Sequence, residues 1–284
     1  MNHLLVCIDD SSYTRSVVDH AAWAASRLGA GIELLHAIDR HPERPTTADL
    51  SGNLGVDTDQ ALLSELAGLD EQRGRLAMAR GHQLLDAARA DLQQRGVSGV
   101  RDCLRHGNLV DLLEDEQLTH DLLVLGKRGE AADFARLHLG GTLERVLRTA
   151  TRPVLVASRA FRPIARVLLA FDGSASSRKA VDLVARSPLF AGLECHVVMA
   201  ASEDRAATVH MDWAHALLDA LEITHRTEII PGNAEEVIGG YVERHGIDLL
   251  VLGAYGHSRI RELLLGSTTT ALIRRCLVPA LVVR

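Results

Sequence analysis

Aromatic residues are scarce: Phe, Trp and Tyr supply 3% of the 284 residues. That is too few for the stacking platforms of a single-strand nucleic-acid binder. Basic charge is not in excess either. The net charge is −6 and the pI about 6.1, which removes the electrostatic footprint of a nucleic-acid partner. No apolar run reaches the roughly 20 residues that a bilayer span needs. The opening MNHLLVCIDD places acid directly after a short apolar run, unlike a signal peptide, so a cytoplasmic location without a membrane partner is expected. Only four cysteines occur, at 7, 103, 195 and 276, and none forms a C-x-x-C pair. They read as buried, reduced thiols of a cytosolic protein. There are fourteen histidines but no H-E-x-x-H. His210 and His215 lie five apart, which does not place them well on one helix face, so the histidines read mainly as surface or half-buried residues. Finally, there is no G-K-[ST] and no G-x-G-x-x-G, so neither a Walker A loop nor a dinucleotide loop is present.

What the chain does have is apolar bulk, 47% of the residues, enough for one large domain or two of ordinary size. It is also written twice. HLLVCIDDSSYTRSVVDHAAWAA near the start matches RVLLAFDGSASSRKAVDLVAR from Arg166, and DLLVLG occurs at 121 and, letter for letter, at 248. RHGNLVDLLED at 105 matches IPGNAEEVIGG at 230, and RPVLVAS at 152 matches VPALVVR at 278. Asp9 and Asp172 are 163 positions apart, whereas Pro153 and Pro279 are 126 apart, so the first copy holds about 37 extra residues between its second and third strands. Arg and Pro residues in SRAFRPIAR mark the boundary, giving expected domains 1–159 and 165–284.

Each copy alternates strand and helix patterns. The second reads as strands at 166–172, 194–200, 224–230, 248–253 and 279–284, with helices beginning near Ser174, Arg205, Asn233 and Ser267. Strands such as LLVL and ALVV are apolar at every position, which suits a parallel sheet covered on both faces. The fold expected is α/β: two tandem doubly wound α/β sandwiches, Rossmann-like, each around a five-stranded, mainly parallel sheet. Sheets of that kind bind ligands beyond the carboxyl ends of their strands, where strand order reverses.

The stretch GAYGHSRIRELLLGST, Gly253–Thr268, begins at such a strand end. Gly253 and Gly256 permit tight backbone and close approach of a ligand. Gly266-Ser267-Thr268 then opens a helix whose free amides and positive dipole end favour an anion. Ser267 and Thr268 can cap that helix or reach a phosphate. Asp172, at another carboxyl end, can accept bonds from sugar hydroxyls. Phosphate at one end and ribose at the other suggest a nucleotide. The plainer alternative is that Gly253 makes an ordinary strand-to-loop turn and Gly266-Ser267 an ordinary helix start. No Lys precedes Ser267 and no catalytic base stands out; His257 could touch a phosphate or simply be exposed.

Asp172-Gly173-Ser174, Gly232-Asn233, the stretch from Gly253 to Thr268 and the closing VPALVVR together resemble the universal stress protein family in its tandem two-domain form, over nearly the whole chain. The G-x2-G-x9-G-[ST] spacing resembles that family's ATP-binding signature. The resemblance implies that Asp172 binds adenosine, with the backbone of Ala170 and Phe171 shaping the pocket and Ala200 meeting the adenine edge. It implies further that Leu252, Gly253, Tyr255 and Gly256 line the phosphate turn. Gly266, Ser267, Thr268 and Thr269 would hold the phosphates of ATP, or of ADP or AMP. Members of the ATP-binding kind often keep Mg²⁺ or Mn²⁺ with the nucleotide, act as stress-linked regulators, and in some cases hydrolyse ATP slowly.

The first copy departs from the signature. Gly141 stands where Ser267 stands, ten residues instead of nine separate Gly129 from Gly140, and Asp10 replaces the Gly that follows the second copy's Asp. Lys127 and Arg128 enter its turn and Glu130 and Asp133 follow; the extra acid is unhelpful near a phosphate, and the two cations could offset it. Nucleotide binding is therefore expected mainly in the second copy, with the first a structural partner or a site for another ligand. The Leu-rich insertion at about 40–75 reads as a flap near the first cavity or as a long packed helix, Asp59 to Arg95, preceded by a surface loop. The apolar edge strands PVLVAS and PALVVR invite pairing, within one chain as a pseudo-dimer and further in a homodimer. Three functions fit: a nucleotide-binding stress regulator, a weak ATPase, or an interaction scaffold with vestigial or non-nucleotide pockets.

Overall fold

The computed structural model describes residues 3–38, 56–116, 119–129, 140–254 and 266–284. The first half runs β1 (His3–Cys7), α1 (Thr14–Leu28), β2 (Gly31–Ile38), α2 (Val56–Gln94), β3 (Val100–His106), α3 (Leu109–Glu116), β4 (Leu122–Gly126), α4 (Gly141–Thr149), β5 (Val154–Ala157). The second repeats the order: β6 (Arg166–Ala170), α5 (Ala175–Arg186), β7 (Glu194–Ala200), α6 (Arg205–Ala220), β8 (His225–Ile230), α7 (Ala234–His245), β9 (Leu249–Gly253), α8 (Ser267–Arg275), β10 (Ala280–Val283). Every second-half strand falls within the range read from its apolar run. The helix starts carry the caps their residues suggest. Ser174 accepts from the Ser177 amide, Asp204 from Ala207 and Asn233 from Glu235.

All ten strands form one sheet, ordered β3-β2-β1-β4-β5-β10-β9-β6-β7-β8. Every pairing is parallel except β5 with β10. That seam is centred on Leu155 opposite Leu281, with Val154 opposite Val282 and Val156 opposite Ala280. Since residues 154–156 correspond to 280–282, the register defines a pseudo-twofold axis perpendicular to the sheet. The axis keeps equivalent helices on the same face. Residues of α1, α2, α5 and α6 pack with Leu4, Val6, Leu169 and Val251 in one core layer. Residues of α3, α4, α7 and α8 pack with Leu5, Leu123, Leu168 and Leu250 in the other. Strand residues on alternate faces thus feed both layers, which is why the runs are apolar throughout.

Antiparallel pairing at the seam also points the carboxyl edges of the two halves in opposite directions. Helix ends are tied across it. Lys127, just after β4, donates to Cys276 O at 2.8 Å and Arg274 O at 3.4 Å at the end of α8. Arg284, just after β10, donates to Arg148 O at 2.8 Å at the end of α4. Cations at helix carboxyl ends complement the dipole and occupy carbonyls the helix cannot bond.

The insertion contributes to α2, 39 residues long against 16 for its counterpart α6. Among its described side chains, Leu85, Ala88 and Leu92 in the last part are buried, whereas Leu66, Leu69 and Leu76 are exposed. Of the segment read as a flap, about 40–75, residues from Val56 on belong to α2, and 39–55 lie outside the described residues.

Candidate functional site

Strand order reverses between β1 and β4 and between β6 and β9, and the crevices beyond those pairs are the places where such a sheet accepts a ligand. In the second half the register sets Ala170 beside Leu252, which brings Asp172 and Gly253 to the same crevice. Phe171 extends β6 by one bond, from its amide to Val198 O at 2.9 Å, and Ala200 closes β7 next door. Asp172 is half-buried and accepts from the Ser174 amide at 3.0 Å, a short turn that delivers Ser174 as the cap of α5.

Two helix starts converge on Gly253. A Cβ added there would lie 2.5 Å from Ser176 Oγ and 2.8 Å from the Ser177 amide nitrogen, so the first turn of α5 rests against the glycine. From the other side, Thr269 is buried and its hydroxyl donates to Gly253 O at 2.9 Å, fastening the first turn of α8. The Gly266 amide donates to Ala254 O at 3.1 Å, and the first bond inside α8 runs from Thr270 to Gly266 O. The amides of Ser267, Thr268 and Thr269 therefore face out of the open end of the helix. Gly266 is the cap residue and, among the described residues, no side chain caps α8. The exposed hydroxyls of Ser267 and Thr268 are thus not engaged in capping, contrary to one of the roles the residue types suggested. At Gly253 the missing side chain also makes room for the first turn of α5. Two positive helix ends, exposed hydroxyls and a half-exposed carboxylate make a cradle suited to an anionic group joined to a polyol. Tyr255, Gly256 and His257 lie outside the described residues.

The loop bearing Asp172 is held by contacts that the sequence did not reveal. Gly173 has φ +76°, and a Cβ there would lie 2.6 Å from the His210 ring. Arg178 donates to Gly173 O at 3.1 Å, contacts His210 Nδ1 at 2.8 Å, and lies 4.4 Å over the Trp213 ring. Trp213 in turn stacks on Phe171. His210 is therefore a packing residue of this loop. The signal that could have found it is its spacing of three from Trp213 on one face of α6.

The first half builds the same frame with different contents. Gly140 caps α4 at φ −58° and ψ 133°, matching Gly266 at −57° and 134°. Tyr13 stands where Ser176 stands, and a Cβ on Gly126 would meet Tyr13 Cβ at 2.9 Å. Gly129 lies on Asp9, an added Cβ falling 2.9 Å from its Oδ2. Leu143 is buried where Thr269 offers its hydroxyl. Lys127, expected to offset acids near a phosphate, instead reaches the end of α8. Burial is the main reason its amine is lowered from 10.5 to about 8; Cys276 opposes that shift and Arg128 adds to it. The four cysteines are free; burial pushes the thiols of Cys7 and Cys195 up to about 12, which makes them poor nucleophiles.

A chain of two α/β repeats in one sheet, each with a crevice where strand order reverses, defines a tandem doubly wound α/β protein. The comparisons narrow the class. The profile of the universal stress protein family matches residues 1–158 and again 163–284. Universal stress protein Slr1230 of Synechocystis sp. is 38% identical over 287 aligned positions, covering 100% of both chains. The chain belongs to the universal stress protein family, as a tandem form. Among solved structures, a universal stress protein from Archaeoglobus fulgidus superposes with a TM-score of 0.73 at 20% identity, covering 100% of this chain and 98% of the other. A putative universal stress protein from Pseudomonas aeruginosa gives 0.66 at 17%, covering 100% and 93%. At those identities the likeness concerns the fold. Among the described residues, no helix is long and apolar enough to cross a membrane.

Proposed function

We propose that this universal stress protein binds an adenine nucleotide, ATP foremost, in the second half, and acts as a stress-response regulator in the cytoplasm. The observation that carries the proposal is the convergence of two helix amino termini, α5 and α8, on Gly253 beside Asp172. The amides of Ser267, Thr268 and Thr269 would receive phosphate oxygens and the exposed hydroxyls of Ser267 and Thr268 would add donors. Asp172 would accept from ribose, with Ala170, Phe171, Leu252 and Ala200 forming the walls. Tyr255 and Gly256 would belong to the same turn. Mg²⁺ or Mn²⁺, where present, would ride on the phosphates. In the first half Tyr13 and the turn at Gly129 stand against the equivalent positions, which favours a structural role there.

The test is to denature freshly purified protein and identify the released small molecules by mass spectrometry. Adenine nucleotide at no more than one per chain is expected. Asp172→Ala and Gly266→Val should each lower it at least tenfold, while Asp9→Ala leaves it unchanged. Full retention of nucleotide in both second-half variants would sink the proposed site.

A further inference from the structure

Away from the crevice, at the start of β8, three side chains meet that neither the fold nor the nucleotide reading uses. His215 and Asp219 are one turn apart on α6, and His225 opens β8. Each offers one ligand atom within 4.8 Å of those of the other two. His215 Nδ1 lies 2.7 Å from His225 Nε2, His215 Nε2 lies 3.2 Å from an Asp219 carboxylate oxygen, and His225 Nε2 lies 3.9 Å from the other.

Proton accounting shows what the cluster lacks. His225 Nδ1 sits 2.8 Å from Ile223 O. A carbonyl only accepts, so Nδ1 carries the hydrogen and Nε2 presents its lone pair to the cluster. The ring is packed in place, its side chain being only 5% exposed. The 2.7 Å between His225 Nε2 and His215 Nδ1 calls either for a hydrogen on His215 Nδ1 or for a cation shared by the two lone pairs and the Asp219 carboxylate, one ligand atom from each residue. Asp219 adds to the demand, since it lies in the last turn of α6, which carries no basic residue, where the helix end is itself negative.

We propose that His215, Asp219 and His225 bind a divalent first-row transition ion, Zn²⁺ by the chemistry of two imidazoles and one carboxylate. The bond from His225 Nδ1 to a backbone carbonyl is the kind of outer contact that fixes a ligating imidazole in the correct tautomer. Tetrahedral ligands about 2.0–2.1 Å from zinc are roughly 3.3 Å apart, and one ligand atom from each of the three residues already lies within 4.8 Å of the other two. His215 is 54% exposed and Asp219 61% exposed, so both can turn to complete the geometry. The fourth position faces solvent. A bound ion would fasten the end of α6 to β8, the outermost strand of the second half. The cluster lies at the amino edge of the second-half strands, opposite the crevice, so the two sites stand or fall independently.

The experiment is titration of nucleotide-free, metal-stripped full-length protein with Zn²⁺ alone by calorimetry, with Co²⁺ absorption as a spectroscopic probe. One ion per chain and visible Co²⁺ bands of a nitrogen- and oxygen-ligated site are expected. Asp219→Asn and His215→Ala, both at exposed positions, should each weaken Zn²⁺ binding by 10–100-fold and abolish the bands, with circular dichroism unchanged. His82→Ala, an exposed histidine outside the cluster, controls for casual binding by the other histidines and should change nothing. Zn²⁺ should also raise the Tm of the unaltered protein and leave that of a His215→Ala/Asp219→Asn variant unmoved. Equal Zn²⁺ affinity in the unaltered and cluster-variant proteins, or no ion bound at tens of micromolar Zn²⁺, overturns the proposal.

Discussion

The two halves share a frame and differ in what stands at its open end. Gly140 and Gly266 cap their helices with nearly the same dihedrals, and Gly126 and Gly253 end equivalent strands. Against Gly253 rest a serine hydroxyl and a backbone amide, and a threonine hydroxyl bonds its carbonyl. Against Gly126 rests Tyr13, and Leu143 replaces the threonine. Lys127, whose counterpart is Ala254, reaches out of its own half to the end of α8. Duplication thus kept the scaffold, which burial enforces. Its edge diverged, where Tyr13 and Leu143 fill the space that Ser176 and Thr269 occupy in the second half. One edge keeps polar groups and open amides. The other is packed with larger side chains and contributes to the seam.

Substitutions at equivalent positions test this contrast. The largest effect is expected at the strand-end glycines. Gly253→Ala must displace the backbone of α5 and should cost about 3 kcal/mol in denaturant unfolding, at the high end of overpacking costs. Gly126→Ala meets its neighbours at 2.9 Å and 3.2 Å and should cost about 2 kcal/mol. A larger loss at Gly126 would break the contrast.

Lys127 comes next. Its amine is held near 8 in the fold and near 10.5 in the unfolded chain. Between those values the unfolded chain binds more protons, so stability rises with pH across the window. Below about 8 both states are protonated and the folded state carries the full burden of a desolvated charge. Relative to Lys127→Met, the unaltered protein should therefore gain on the order of 2 kcal/mol from pH 8 to 10.5, partial exposure screening some of the shift. Unfolding curves across that range check it, and a flat difference would show that the amine is not desolvated. The smallest effect is expected for Thr269→Val, which keeps the shape and removes one buried bond. It should cost about 1 kcal/mol and reduce nucleotide retention, whereas Leu143→Val in the first half should leave retention unchanged.

Much of this was legible before any coordinates. The repeat offsets located the insertion, the apolar runs marked the strands to within a few residues, and Ser174 and Asn233 announced the helices they cap. Asp172, Gly253 and Gly266–Thr269 are gathered at one edge because a parallel sheet leaves few alternatives. Reading failed where partners are distant. Lys127 was read as a cation offsetting an acid of its own turn because its partners, Arg274 O and Cys276 O, lie some 150 residues on. His210, read as surface or half-buried, is half-buried, but its packing role was not legible because its contacts, Gly173 and Arg178, lie on other elements. His215 and Asp219 carry helical spacing, but the third member, His225, joins them only through the turn into β8.

By itself the sequence determined the class of fold, the duplication and the placement of the polar strand ends, because local periodicity and burial on both sheet faces leave little freedom in those. Only the tertiary structure decided that β5 meets β10 about Leu155 and Leu281, that Lys127 caps the opposite half, and that two histidines and an aspartate surround one point. Such meetings depend on how whole elements pack across a sheet, and no short stretch of chain encodes that geometry.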